Sequence, residues 1–407
     1  MKILVVLPRF PYPLEKGDKL RAYHQIVELS KRHEIYLFCV SHSKIPDQSI
    51  EALRPYCRQI RVVRLNLLAC WCNIVSNWFA SKSLQMGYWN TSRSKRLCRR
   101  FALEVQPDVV YNQMVRTMPL VARLPFKKVM DFQDALSLNT ERRMERSRGF
   151  WRYILHYEFK MLRSSEYNAF SIFDALTIIS ETDSEAIPHK KNGEIRIVPN
   201  GVDTEYFNEE LRIKNKESAD AANNSSHFTT HSSFSICFTG NMSYAPNVDA
   251  ARFLVQQVMP IVWETMPHAT VLLAGADPKH AVRSLASDRV TVSGHLPDIR
   301  SAYASARIFV APMRIGSGMQ NKLLEAMSMG LPCVTTSIAA TPLHATPLEH
   351  LLVGDSAEEI ADRIVKLDNE EIYRSIADGG HRLVQQHFSW SAAVQPLEDI
   401  FNELVAK

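Results

Sequence analysis

The chain has 407 residues, more than one ordinary hydrophobic core organises, so two domains are expected. Composition is that of a soluble globular protein, with 46% apolar and 22% charged residues, and the seven cysteines form no Cys-x-x-Cys pair, which argues against a zinc site or a disulfide framework and for a reducing cytosol. The net charge of +5 is mild but one-sided: between Glu51 and Glu104 ten arginines and lysines stand without an acid, so the rest of the chain is net negative.

"MKILVVLPRFPYP" reads as a buried first strand followed by prolines. A signal peptide needs a longer apolar region and a small-residue cleavage site. Leu20, Tyr23, Ile26, Val27 and Ser30 have helical spacing, and "EIYLFCV" and "IRVVRL" read as further strands. Leu65 to Phe101 is both aromatic and basic. Leu67, Trp71, Ile74, Val75, Trp78 and Phe79 fall on one helical stripe, with Arg93, Lys95 and Arg96 beyond it. Tryptophans beside cations suit an anionic membrane surface, so Trp71, Trp78, Arg93, Lys95 and Arg96 are expected to face one. A core helix followed by a solvated basic helix gives the same pattern, and both readings stand. No recognised nucleic-acid module accompanies the charge, so nucleic acid is not expected as a partner. No stretch reaches the ~18–20 apolar residues of a membrane span.

"DVVYNQ", "KKVMDF" and "ALTIIS" continue the strands, and "IRIVPNGVDTEYF" closes the first half at the Asn200-Gly201 turn. Asn208 to Ser233 is rich in Asn, Ser, Lys and Glu and reads as an exposed, mobile linker. The pattern then restarts. "FSICFTG" is a strand, Asn247 to Glu264 a helix, and "ATVLLAG", "RVTVSG", "RIFVAP" and "LPCVTT" are strands with helices between them. "FSWSAAVQPLEDIFNEL" ends the chain as an amphipathic helix. Continuous apolar strands alternating with helices imply α/β architecture, with a parallel sheet covered on both faces in each half.

Ligands of such sheets bind beyond the carboxyl ends of the strands. Gly17, Gly240, Gly275 and the Gly316-Ser317-Gly318 element all follow strands. None is a Gly-x-x-x-x-Gly-Lys-Ser/Thr loop or a Gly-x-Gly-x-x-Gly fingerprint, which disfavours a nucleotide triphosphatase or a dinucleotide dehydrogenase. The last element is flanked by Arg314 and by Lys322 in the first turn of the next helix, where a lysine makes sense if an anion sits between it and the helix end. Glu325, three residues on, shares that face. It is placed either to bind a vicinal diol or to pair with Lys322 in solvent.

"GNMSYAPNVDAARFL", "VLLAGADP" and "VTVSGHLPDIRSAYASARIFVAPMRIGSGMQNKLLEAMSMGLPCVTT" carry a family pattern. The chain resembles the family 4 retaining glycosyltransferases of the GT-B fold. Within them it is most similar to the sugar transferases of polysaccharide biosynthesis, which also begin P-x-P-x-x-K-G-D-K-x-R. The resemblance implies two Rossmann-like, doubly wound parallel-sheet domains facing a central cleft: an acceptor domain over 1–200, a hinge and linker over 201–233, a nucleotide-sugar domain over 234–385, and a helix over 386–407 crossing back to the first domain. It implies metal-independent hexosyl transfer from a nucleotide-diphosphate sugar, with no cofactor, to a hydroxyl of a glycan or lipid-linked acceptor. The enzyme would be cytoplasmic and peripheral at the inner face of the membrane.

Carried onto this sequence, Glu325 matches the second glutamate of Glu-x7-Glu and would bind the donor ribose. Gly316, Ser317, Gly318, Met319, Gln320 and Asn321 would line the diphosphate and sugar, with Lys322 and Arg314 neutralising charge. Gly17 matches the glycine loop of the first domain. Gly240 and Asn241 begin the first loop of the second, and Gly294 with His295 and Leu296 would meet the base, with Asp298 nearby. Ser317 stands where the first glutamate falls, and "GNMSYAPN" lacks the basic residues usual there. In place of a first-domain histidine, "VMDFQDALSLN" offers Asp131 or Asp134 to touch the sugar, and Asp134 is the catalytic candidate. These departures motivate one alternative, a catalytically weak sugar-nucleotide-binding subunit; another, a sugar-nucleotide epimerase, would need acid and base carboxylates, which Glu325 alone does not supply.

Overall fold

The computed structural model describes residues 1–14, 16–145, 147–208, 234–315 and 318–406. The expected linker lies, from residue 209 to 233, outside the described residues, as do Gly316 and Ser317. The chain divides into two units: Met1–Pro199 with Ala393–Lys407, and Asn200–Ala392.

Unit 1 is built on seven parallel strands: β1 (Lys2–Leu7), β2 (Glu34–Ser41), β3 (Gln59–Arg64), β4 (Val109–Gln113), β5 (Lys127–Asp131), β6 (Ala175–Ile178) and β7 (Arg196–Ile197). Their order is β3-β2-β1-β4-β5-β6-β7. Ile3 to Leu7 are buried without alternation, as a strand covered on both faces requires. β1 pairs with β2 on one side and β4 on the other, so the winding reverses there and leaves a crevice at their carboxyl ends.

The C-terminal helix, Trp390–Ala406, packs its second half on this unit. The Phe401 ring meets Tyr111, Glu398 bonds both Arg32 and His33, and Glu403 pairs with Arg196. A 23-residue helix, Phe150–Ile172, and the helices Leu67–Phe79, Leu84–Trp89 and Ser92–Val105 complete the covering that concerns function. The seven cysteines are free. Burial pushes the Cys57 and Cys98 thiols up to about 12, so these are inert packing groups.

Unit 2 carries β8 (Phe234–Thr239), β9 (Val271–Ala274), β10 (Val290–Gly294), β11 (Ala306–Ala311), β12 (Cys333–Thr335) and β13 (Leu352–Val353). All are parallel, in the order β10-β9-β8-β11-β12-β13. The winding reverses between β8 and β11, and both ends lead into the residues singled out from sequence. The helix expected over Asn247 to Glu264 runs as Ala245–Phe253, a wide turn at Leu254–Val258, and Met259–Thr265. Pro260 donates no N–H and clashes with the preceding turn, which accounts for the widening just before it.

Candidate functional site

In unit 2 the carboxyl ends of β8, β9 and β10 come close together. Gly240 N–H donates to Ala274 O, and Gly275 N–H donates to Gly294 O. A Cβ on Gly275 would lie 1.8 Å from the Gly240 carbonyl oxygen, and one on Gly240 would lie 2.6 Å from Asn247 Nδ2 and 3.1 Å from Lys322 Nζ. Only glycine permits this approach. The backbone after β8 is thereby laid beside the Lys322 ammonium.

Lys322 stands in the first turn of the helix Asn321–Ser328. Its Nζ donates to Asn247 Oδ1 at 2.7 Å and lies 4.7 Å from the Phe238 ring centre, with Met313 Sδ at 3.9 Å. None of these partners carries a charge. Burial therefore pushes the lysine down to about 7, and Glu325 only partly opposes this. Glu325 does not close an ion pair with Lys322. Its Oε2 accepts from Tyr303 OH at 2.6 Å, and Tyr303 in turn meets Thr239 Oγ1 at 2.9 Å. Burial raises the Glu325 carboxyl, and Tyr303 and then Lys322 offset this in part. The solvent-exposed pair that spacing allowed is thus not formed. A cation short of counter-charge and a carboxylate anchored by one oxygen sit on one helix face, a turn apart.

The other residues of this half are placed as follows. Asn241 Oδ1 accepts from Ser243 N–H and Oγ, and its carbonyl accepts from Asn247 Nδ2. Gly318 O accepts from Gln320 Nε2, Met319 packs on the core, and Asn321 Oδ1 accepts from Asn200 Nδ2 at 3.3 Å. Gly294 has φ +71°, and Asp298 is held by Arg300 and Tyr206. Arg314 is less free than its position beside the glycine element suggested. Its guanidinium forks onto Asp249 at 3.0 and 2.7 Å over the Phe253 ring, so its charge is already balanced.

In unit 1, Gly17 is the first residue of the helix Gly17–Ser30, with open space around it. Asp18 of that helix pairs with Arg9. Asp131, at the end of β5, is fully buried and taken up: it accepts from Arg21 Nε at 2.8 Å, Tyr111 OH at 2.8 Å and Gln133 N–H at 3.0 Å. This leaves Asp134. Its Oδ2 accepts from Asn139 Nδ2 at 2.7 Å, and Oδ1 is buried without a partner. Burial, then Asp183, push this carboxyl up to about 6, with Arg116 opposing. Glu166, from the Phe150–Ile172 helix, was not singled out from sequence. Its Oε1 accepts from Ser137 N–H, its Oε2 is buried without a partner, and burial pushes it up to about 7. Two carboxyls that titrate near neutrality are suited to proton transfer.

The aromatic stripe is not a core helix. Along Leu67–Phe79 only Cys70 is buried, whereas Phe79 is 83% and Trp71 64% exposed, and Trp78 is exposed as well. Phe150 (73%) and Trp151, at the start of another helix, join Trp71, Val75 and Trp78 around an apolar groove of about 840 Å³. Arg93, Lys95 and Arg96 are exposed on the Ser92–Val105 helix. Among the described residues no helix is long and apolar enough to cross a membrane.

The family model described as glycosyl transferases group 1 matches residues 233–370, about a third of the chain, a stretch that takes in β8 to β13 and the helix after them. No curated protein sequence matches the chain. Sucrose-phosphate synthase from Thermosynechococcus elongatus has a similar structure at 14% identity, with 100% of this chain and 99% of that one covered and a TM-score of 0.66. The Anabaena protein HepE, solved with UDP-glucose, is similar at 15% identity, covering 99% and 100%, with a TM-score of 0.66. WaaG, a glycosyltransferase involved in lipopolysaccharide biosynthesis, is similar at 12% identity over 100% of both chains, with a TM-score of 0.62. The fold is GT-B, with two α/β Rossmann-like units.

Proposed function

We propose that the protein transfers a hexose, with retention of anomeric configuration, from a nucleotide-diphosphate sugar to a hydroxyl of a glycan or lipid-linked acceptor. The observation that carries this reading is the pairing of an under-compensated Lys322 with Glu325 on the helix that follows β11. A diphosphate beside Lys322 would supply the missing counter-charge, and a ribose beyond it would find the Glu325 carboxylate. The match of this half to the glycosyl transferases group 1 and the UDP-glucose bound by the Anabaena relative support the same ligand class.

In the proposed step the bond from the sugar's anomeric carbon to the diphosphate oxygen breaks, and a bond to the acceptor oxygen forms on the same face. The acceptor's proton passes to the leaving phosphate. Lys322 and backbone N–H groups at the start of its helix stabilise the negative charge that develops on the leaving oxygen. No metal or cofactor is invoked. Asp134 is proposed to hold the sugar's hydroxyls.

Glu325→Ala removes the ribose acceptor while leaving Lys322 in place, and nucleoside diphosphate should bind about 10–100-fold more weakly, as for a lost hydrogen bond to a charged group. Unchanged affinity in a calorimetric titration would show that the ribose lies elsewhere.

The acceptor side is proposed to work at the inner face of the membrane, resting on the apolar groove of unit 1 and the acid-free basic segment beside it. The purified protein should pellet with anionic liposomes at low salt, and Trp71→Ser with Trp151→Ser should weaken this about tenfold or more. Equal pelleting of the double variant would remove the groove from the account.

A second reading, a sugar-nucleotide-binding subunit of weak activity, is favoured by the Arg314–Asp249 fork, which leaves Lys322 to neutralise the diphosphate. Incubation with a panel of sugar nucleotides, with and without lipid extract, separates the cases. Nucleoside diphosphate released only with extract supports transfer. Binding without turnover supports the subunit. A changed sugar without acceptor would make the protein an epimerase and overturn both.

A further inference from the structure

The face of the Leu67–Phe79 helix opposite the tryptophans carries Asn73 and Asn77, and these line a separate cavity of about 390 Å³ in unit 1. Asn90, Lys82, Lys95, Asn168 and three serines add to its polar wall, and no acidic residue lines it. The amide nitrogens are occupied. Asn73 Nδ2 donates to the Gly87 and Asn90 carbonyls, Asn77 Nδ2 to Ser83 O, and Asn90 Nδ2 to the Met86 and Arg116 carbonyls, each at 2.6–2.8 Å. These bonds hold the Leu84–Trp89 helix in place and fix the amide orientations. Asn90 is 2% exposed, and its Oδ1 is buried with no donor.

The cavity thus presents two features at once: a buried Asn90 oxygen that needs a donor, and two solvent-exposed lysines in its lining with no acid beside them. Lys95, though exposed, is held below its ordinary value by partial desolvation, then by the nearby Lys82 and Arg123. A buried water would satisfy Asn90 but would make no use of the lysines beside it. A carboxylate would bring one charge, whereas a phosphate monoester brings close to two and three acceptor oxygens. The volume lies in the range of small-molecule sites.

The geometry points to a second ligand site here, for a phosphorylated polyol whose phosphate meets Lys82 and Lys95 and whose hydroxyl donates to Asn90 Oδ1. The chemistry is shared by a free polyol phosphate and by a lipid headgroup. The second source is accommodated by the apolar groove on the other face of the same helix. The site stands apart from Lys322 and Glu325, so its failure would leave the proposed sugar transfer untouched.

The test uses the full chain with glycerol 3-phosphate, with glycerol as the uncharged control, and with vesicles of phosphatidylglycerol in phosphatidylcholine. Lys82→Gln with Lys95→Gln removes the site's charge. Arg99→Gln with Arg100→Gln removes equal charge from the same basic segment outside the cavity. Glycerol 3-phosphate is expected to bind the wild type, at least tenfold more weakly to the lysine pair variant and equally to the arginine pair variant. The same pattern with vesicles alone assigns the site to a headgroup. Binding of neither probe, equal loss in both pair variants, or equal affinity for glycerol would overturn the proposal.

Discussion

Arg21→Met is expected to destabilise unit 1 by about 3–5 kcal/mol, because it leaves a buried carboxylate without its partner. Arg21 is 1% exposed and Asp131 fully buried. Beyond its bond to Asp131, Arg21 donates from Nη2 to Val198 O and from Nη1 to Pro199 O, each at 2.9 Å. One guanidinium therefore ties the first helix, the end of β5 and the point where the chain leaves unit 1. A lysine could not span three acceptors in this geometry, so Arg21→Lys should recover little. The surrounding polar groups are connected too: Gln113 Nε2 donates to Gln25 Oε1, which lies 2.8 Å from Tyr111 OH, and Gln133 Nε2 donates to Gln113 Oε1. Hydrogen exchange read by peptide should show β4, β5 and the Gly17–Ser30 helix losing protection while unit 2 keeps it. Adding Asp131→Asn should restore about 1–3 kcal/mol of the loss. Additive effects of the two substitutions would show that the pair is not coupled.

Lys322→Met should stabilise unit 2 and impair its binding of nucleotide. The folded lysine is pushed down to about 7, while in the unfolded chain it holds its proton to about pH 10.4. Between those values the unfolded state binds more protons, so the lysine's contribution to stability improves as pH rises. Below pH 7 both states are charged, and the whole penalty of seating the ammonium is felt. Methionine removes that penalty, so the gain should be about 1–3 kcal/mol near pH 6 and should fade toward pH 10. Nucleoside diphosphate binding should fall about 10–100-fold, as for a lost charge-assisted bond. Urea unfolding at the two ends of this pH range measures the first effect. A variant less stable than the wild type near pH 6 would mean that Asn247 and the Phe238 ring compensate the ammonium fully.

These two sites differ in how far they could be read from sequence. The strands were legible because parallel strands covered on both faces are unbroken apolar runs, as in "KILVVL" and "ARIFVA". β13 is two residues long and leaves no such run. Lys322 and Glu325 could be placed on one face by helical spacing. That Lys322 would lack a counter-charge could not be known, because Phe238 and Asn247 reach it from elsewhere in the chain. Arg314 shows the same limit: its neighbours in sequence suggested an anion, and Asp249, 65 positions away, supplies one. The Arg21–Asp131 bond joins residues 110 positions apart, which no spacing rule reaches. Glu166 was hidden for a different reason. Inside a 23-residue helix with aromatics and charges on several faces, no spacing marks it out, yet it is buried.

Unit 2 is proposed to seat a nucleoside diphosphate between Lys322 and Glu325. This seating is tested most directly by calorimetric titration of a panel of nucleoside diphosphates, just above neutral pH, in two buffers of different ionisation enthalpy. At least one should bind the wild type with net proton uptake, because a bound anion raises the Lys322 pKa again. Glu325→Ala and Lys322→Met should each weaken this binding, with Lys322→Met abolishing the uptake. Binding of none of the panel, or binding with the same affinity and proton uptake in both variants, would contradict it.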